Sequence, residues 1–251
     1  MSIKKALMAL SVAAACAVPG MASASPITVG GVTWDPDSIV DFSSFSLGIR
    51  QVINSTTGAV SGYGVISTMN LTPASSFVPG GELTFQFGGF TPVTFGALPN
   101  VPGQIIGYTG GWVKVYVGNS IQVNQADFTT LNAANTGDGV LWLELAGHAL
   151  GANNITFTGT VAGMGSDVSQ LTGIGLLDVV GGAAAANFDT NTRQDGADFT
   201  FSNSFTTFLA GLLDAGGTGN FKSDSIPEPA SLGLVGLAML GLGAIRRKKQ
   251  A

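Results

Sequence analysis

The chain has 251 residues, of which 45% are hydrophobic and only 10% charged, with 37 glycines and a formal net charge of −5. A composition this apolar and glycine-rich fits neither an acidic disordered chain nor an ordinary cytosolic enzyme. One cysteine and one histidine leave no ligand set for a structural zinc site.

At the N-terminus Lys4 and Lys5 precede an apolar run over residues 6–18, the length of a signal-peptide core. Ala22 and Ala24 flank Ser23 as the small residues a signal peptidase accepts, so residues 1–24 read as a signal peptide cleaved after Ala24. A membrane anchor is disfavoured because the run is too short for about 30 Å of hydrocarbon and Pro19-Gly20 interrupts it. Cys16 lies inside the signal, which leaves the mature chain without a thiol or a disulfide.

Residues 25–215 then read as one extracellular β domain. Segments 62–71, 82–90, 111–117, 140–145, 155–161, 176–180 and 198–205 are short, rich in Val, Ile, Thr and aromatics, and separated by turn residues. The two-residue period of a strand puts Val113, Val115 and Val117 on a core side, with Trp112, Lys114 and Tyr116 opposite. In the same way Leu83, Phe85 and Phe87 share a face, and Glu82, Thr84 and Gln86 the other. Helical spacing is confined to residues 126–135 and 204–215, the second with Phe205, Phe208, Leu209 and Leu212. The expected fold is mainly β, an antiparallel β-sandwich or jelly-roll-like single domain with one or two short helices. Residues 216–226, rich in Gly and Ser, read as a flexible linker.

The body carries Arg50, Lys114, Arg193 and Lys222 against fourteen acidic residues once Glu228 is set aside, a balance of 4 − 14 = −10. Such a surface repels phosphate backbones and anionic lipid heads, so nucleic acid is excluded as a partner, whereas neutral glycans remain compatible. Little of the sequence speaks for catalysis. His148 has no local partner for a catalytic pair, and neither a nucleophile elbow nor a phosphate-binding loop occurs. Asp189, Asn191, Asp195 and Asp198 form a candidate calcium loop, since hard Ca²⁺ takes several oxygens on a tight turn. Its spacing has one extra residue between Asn191 and Asp195, Arg193 intrudes, and no Glu closes it; a solvated turn explains the same residues. Asp35, Asp37 and Asp41 are read as a turn for similar reasons. No other cofactor is expected.

Beyond the linker, residues 230–245 are sixteen uncharged positions rich in Leu and Gly, followed by Arg246, Arg247, Lys248 and Lys249. A short transmembrane helix with its basic end held in the cytoplasm accounts for that pattern. Pro227, Glu228 and Pro229 sit just ahead, where two prolines keep the backbone extended. This ordered set resembles the PEP-CTERM sorting domain: motif 227–229, helix 230–245 and basic tail 246–251. The resemblance implies an exosortase as partner, transit through the inner membrane, and delivery to the cell surface or an exopolysaccharide matrix. Residues 32–37 and 171–190 also look like segments of secreted PEP-CTERM proteins whose biochemical function is unassigned.

Two functions follow as expectations. The first is a non-enzymatic structural or adhesive component of an exopolysaccharide, biofilm or floc matrix, binding polysaccharide through aromatics such as Trp112 and Tyr116. The alternative is a secreted polysaccharide-active enzyme of glycosidase type, which needs two carboxylates about 5–10 Å apart. Glu82, Glu144 and Asp178 are its candidates.

Overall fold

The computed structural model describes residues 26–36, 42–124, 126–149, 151–164, 167–193, 195–208 and 213–226. Alternating apolar residues drive the described chain into strands, because a strand with every second side chain apolar can bury that face only against other strands. A hairpin of β1 (Ile27–Val29) and β2 (Val32–Trp34) comes first. It is followed by β3 (Phe42–Ile53), β4 (Val60–Ile66), the two-residue β5 (Thr68–Met69) and β6 (Thr72–Pro73), and β7 (Glu82–Pro92). Next come β8 (Ile105–Gly118), β9 (Val140–Gly147), β10 (Ile155–Met164) and β11 (Asp167–Gly181). The last two are β12 (Phe199–Phe208) and β13 (Asp214–Ser223).

The long strands form an antiparallel meander, and β13 pairs back onto β3. β9 and β10 share one place in the wall: β9 lies between the C-terminal halves of β8 and β11, and β10 between their N-terminal halves. The result is an eight-position up-and-down barrel rather than the expected sandwich or jelly roll. The physical reason is the closing strand, which removes the two free edges a sandwich would keep.

Eight strands enclose a space that side chains can just fill, and here phenylalanines fill it. Phe157 stacks on Phe201 with ring centroids 5.3 Å apart, and Phe85 meets Phe221 edge-on at the same distance. Val113, Val115 and Val117 point inward with Leu83, Phe85 and Phe87, as the alternation requires. Internal cavities of about 20 and 30 Å³ remain, room for no more than one or two waters each.

The loops 54–59 and 93–104 lie at one end, beside the C-terminal ends of β10 and β12. The other end carries the longer connections and the β1–β2 hairpin. There Trp34, Phe42, Trp142, Phe188 and Phe199 form a buried aromatic plug, with Trp34 stacked on Phe188 at 5.4 Å and edge-on to Trp142 at 5.7 Å. Phe188 comes from α2 (Ala185–Phe188).

Three local expectations need correction. Of the expected helix 204–215, residues 204–208 instead continue β12 and 214–215 begin β13, while 209–212 lie outside the described residues. Within residues 126–135 only a 3-10 turn (Phe128–Thr130) and the start of α1 (Ala133–Thr136) are helical. The supposed linker 216–226 supplies most of β13, so the body extends through it. Among the described residues no helix is long and apolar enough to cross a membrane. The signal 1–24 and the segment 227–251, including the expected helix 230–245, lie outside the described residues.

Candidate functional site

The most elaborated polar region lies at the plug end, where β13 hands over to the tail. Ser225 is buried, and its Oγ accepts a hydrogen bond from Trp34 Nε1 at 3.2 Å. Ile226 is held at both main-chain groups: its N–H donates to Asn187 O at 2.8 Å, and its carbonyl accepts from Asn187 Nδ2 at 3.2 Å. One step earlier, Ser223 Oγ donates to Asp198 O at 2.8 Å, and Thr192 Oγ1 donates to Asp224 Oδ2 at 3.0 Å. Residues 223–226 are thus stitched to the 187–198 connection and to the β1–β2 hairpin.

The residues proposed as a calcium loop build that connection. Asp198 is 1% exposed, and its carboxylate accepts from Val179 N at 2.8 Å, Thr190 N at 2.8 Å and Asn191 N at 2.7 Å. Its lone pairs therefore face main-chain donors, which fixes the turn. Asp189 Oδ1 accepts from Asn191 Nδ2 at 2.9 Å, and Asp195 Oδ1 accepts from Ala197 N at 3.2 Å. Asp195 feels some desolvation, yet the Ala197 N–H and the Arg193 guanidinium, 3.4 Å away, hold it below the usual carboxylate range. Among the described residues no three His, Cys, Asp or Glu side chains are placed to hold a metal ion. Asp37 and Asp41 of the other acidic cluster lie outside the described residues.

The three carboxylates considered for glycoside cleavage are each engaged locally. Glu82 is buried on the outer side of β7 and accepts from Gln122 N and Val123 N, both at 3.1 Å, beside a cavity of about 170 Å³. Glu144 pairs with Lys114 at 3.0 Å across the β8–β9 ladder. That hydrogen bond raises the lysine pKa. Asp178 receives His148 Nδ1 at 2.7 and 2.9 Å, while His148 Nε2 faces Asp195 O at 3.2 Å. His148 thereby bridges the break between β9 and β10 to the 187–198 connection, a partnership invisible in the local sequence.

Trp112 and Tyr116 point outward from β8. Trp112 is 36% exposed and lies over Gly88 and Gly89, where an added Cβ would approach the indole to 3.0 Å. Lys114 Nζ sits 5.7 Å from its ring centroid.

Residues 225–248 match the PEP-CTERM protein-sorting motif. This places Pro227, Glu228, Pro229 and the basic cluster Arg246, Arg247 and Lys248 within the match; all lie outside the described residues, as do Ala22 and Ala24. The chain is thus an exported protein sorted through an exosortase, anchored in the membrane during transit. No curated protein and no solved structure matches it. The first matched residue, Ser225, is the one bonded to Trp34, so the motif begins inside the folded body. Trp34, Asn187 and Ser225 were missed as site residues by sequence reasoning, because their meeting depends on barrel closure.

Proposed function

We propose that the barrel is a structural or adhesive component of an extracellular polysaccharide matrix, delivered there by its tail. The observation that carries this reading is the sorting motif running directly out of a closed barrel. A closed sheet offers no long unpaired edge, which suits a module that must persist outside the cell without pairing with its neighbours. Its outer wall supports neutral glycan as the ligand class. Thr158, Ile174, Ser202 and Asn220 form one cross-strand row, and Thr160, Thr172, Ser204 and Thr218 the next. None of these eight adjacent positions carries a charge; seven present a hydroxyl or an amide, groups that bond sugar hydroxyls, and the exposed Ile174 adds an apolar contact. Trp112, propped on Gly88 and Gly89, gives an apolar surface for a sugar ring.

Fractionation of the native host with and without its exosortase tests the proposal. The expected product in the intact strain ends near Pro229 and sediments with the polysaccharide. An intact basic tail in the inner membrane of both strains overturns it. So does a processed barrel that washes free of the polysaccharide.

A further inference from the structure

We propose that the plug end of the barrel is itself a contact surface for the membrane-embedded sorting enzyme. This rests on the reading of the tail as that enzyme's substrate. Ile226 is pinned to Asn187 through both its N–H and its carbonyl, and Ser225 is buried under Trp34. The matched motif continues immediately, and the apolar stretch begins at Ala230. The three residues between Ile226 and Ala230 are crossed in four Cα-to-Cα steps, at most about 14 Å even when fully extended. While the root is held, the enzyme must reach the Pro-Glu-Pro backbone in that gap, with the barrel's plug end against it.

The root cannot lengthen the gap without loss. Each further residue released adds only about 3.5 Å, and releasing 223–226 breaks the bonds to Asn187, Trp34, Asp198 and Thr192. The surface around the root also fits one kind of partner. Asp189, Asp195 and Asp224 are exposed there, against Arg193, which pairs with Asp195, and Lys222. Anionic lipid heads repel such a face, whereas a basic extracytoplasmic surface on the enzyme attracts it.

The test follows processing of pulse-labelled full-length chain in the native host. Inserting about eight Gly and Ser residues between Ile226 and Pro227 adds up to about 28 Å of reach and leaves the barrel untouched. If the plug end contributes to recognition, processing slows by about tenfold, because the barrel no longer holds the motif at the enzyme. An unchanged or faster rate overturns the proposal, since it means that the motif alone suffices or that the barrel is an obstacle. The pair Asp189→Asn and Asp224→Asn removes the charge but keeps an acceptor oxygen for Asn191 and Thr192, and is expected to slow processing by about threefold at an unchanged melting temperature; an unchanged rate overturns the charge assignment. Replacing Pro227, Glu228 and Pro229 by Ala separates the two readings: if processing survives that change, the sorting reading itself fails.

Discussion

Trp34 Nε1 donates to Ser225 Oγ at 3.2 Å, joining positions 191 residues apart at the two ends of the folded body. The bond ties the first hairpin to the chain that leads into the sorting motif. Trp34→Phe keeps an aromatic ring against Phe188 and removes the donor. It is expected to cost about 1 kcal/mol in urea unfolding, and to speed hydrogen exchange at the Ile226 amide. Trp34→Ala, which empties the centre of the plug, is expected to cost about 3–5 kcal/mol. Equal exchange at Ile226 in wild type and Trp34→Phe would show that the root is not held through this bond.

The seam between β3 and β13 has its own ion pair. Arg50 Nε and Nη2 meet the two Asp214 oxygens at 3.1 and 2.8 Å, and Nη1 reaches the Thr129 and Leu131 carbonyls at 3.3 and 3.4 Å. Asp214→Ala leaves that half-buried guanidinium without its anion and is expected to destabilise by about 1–3 kcal/mol. The more exposed Lys114–Glu144 pair is the contrast: Glu144→Ala should change stability by less than about 1 kcal/mol. Denaturant midpoints for the two variants decide the matter, and a larger loss for Glu144→Ala would contradict the assignment of Arg50 to the seam.

Gly216 is where the closing strand passes beneath Phe128, and an added Cβ would lie 2.2 Å from that ring. Gly216→Ala therefore has to push Phe128 and the strap around it off the barrel, for an expected loss of about 1–3 kcal/mol. A flexible tether would accept the same change without effect, so a wild-type melting curve for Gly216→Ala would be evidence against a packed strand.

That glycine also explains which parts of the fold were legible in the sequence. The strands with Val, Phe and Leu at every second position, such as β7 and β8, could be read directly, down to the face each residue takes. β13 could not, because Gly216, Gly217 and Gly219 leave their Cβ space to Phe128, Phe205 and Ile49, and a strand packed this way looks like a linker. β3 was hidden differently: Ser44, Ser46 and Gln51 are buried among Phe42, Ile49 and Ile53, and the ladder shifts register beside Gly219. Missing these two strands meant missing the seam, and without the seam an eight-position barrel reads as a sandwich. The sorting tail was legible because its signal is linear, whereas the pairing of Trp34 with Ser225 arises only once the barrel closes.

Asp198 supports a further prediction. Its carboxylate serves three main-chain N–H groups, and removing it leaves them buried without an acceptor. Asp198→Ala is expected to cost about 2–4 kcal/mol and to loosen the 187–198 connection that holds the root. The melting temperature of the wild-type protein is expected to be the same in millimolar Ca²⁺ and in chelator. A calcium-dependent rise would mean that the ion binds the native state, and would support Asp189, Asn191, Asp195 and Asp198 as ligands.

Tyr108 gives the barrel interior a pH dependence. It is 3% exposed, and burial pushes its phenol up from 10.0 to about 12. Burial disfavours the charged phenolate, so the folded state holds the proton more tightly than the unfolded chain does. Stability from this group is therefore fully present below the unfolded value near pH 10 and is lost as pH rises through the folded value. The gap corresponds to a loss on the order of 2–3 kcal/mol between about pH 10 and pH 12. Urea unfolding across that range should show the decline, and Tyr108→Phe should remove its share of it. Phenolate absorbance gives an independent check, with one of the three tyrosines ionising only as the barrel opens. If the Tyr108 phenolate appears near pH 10 in the folded protein, the ring is not shielded in the way its position in the core requires.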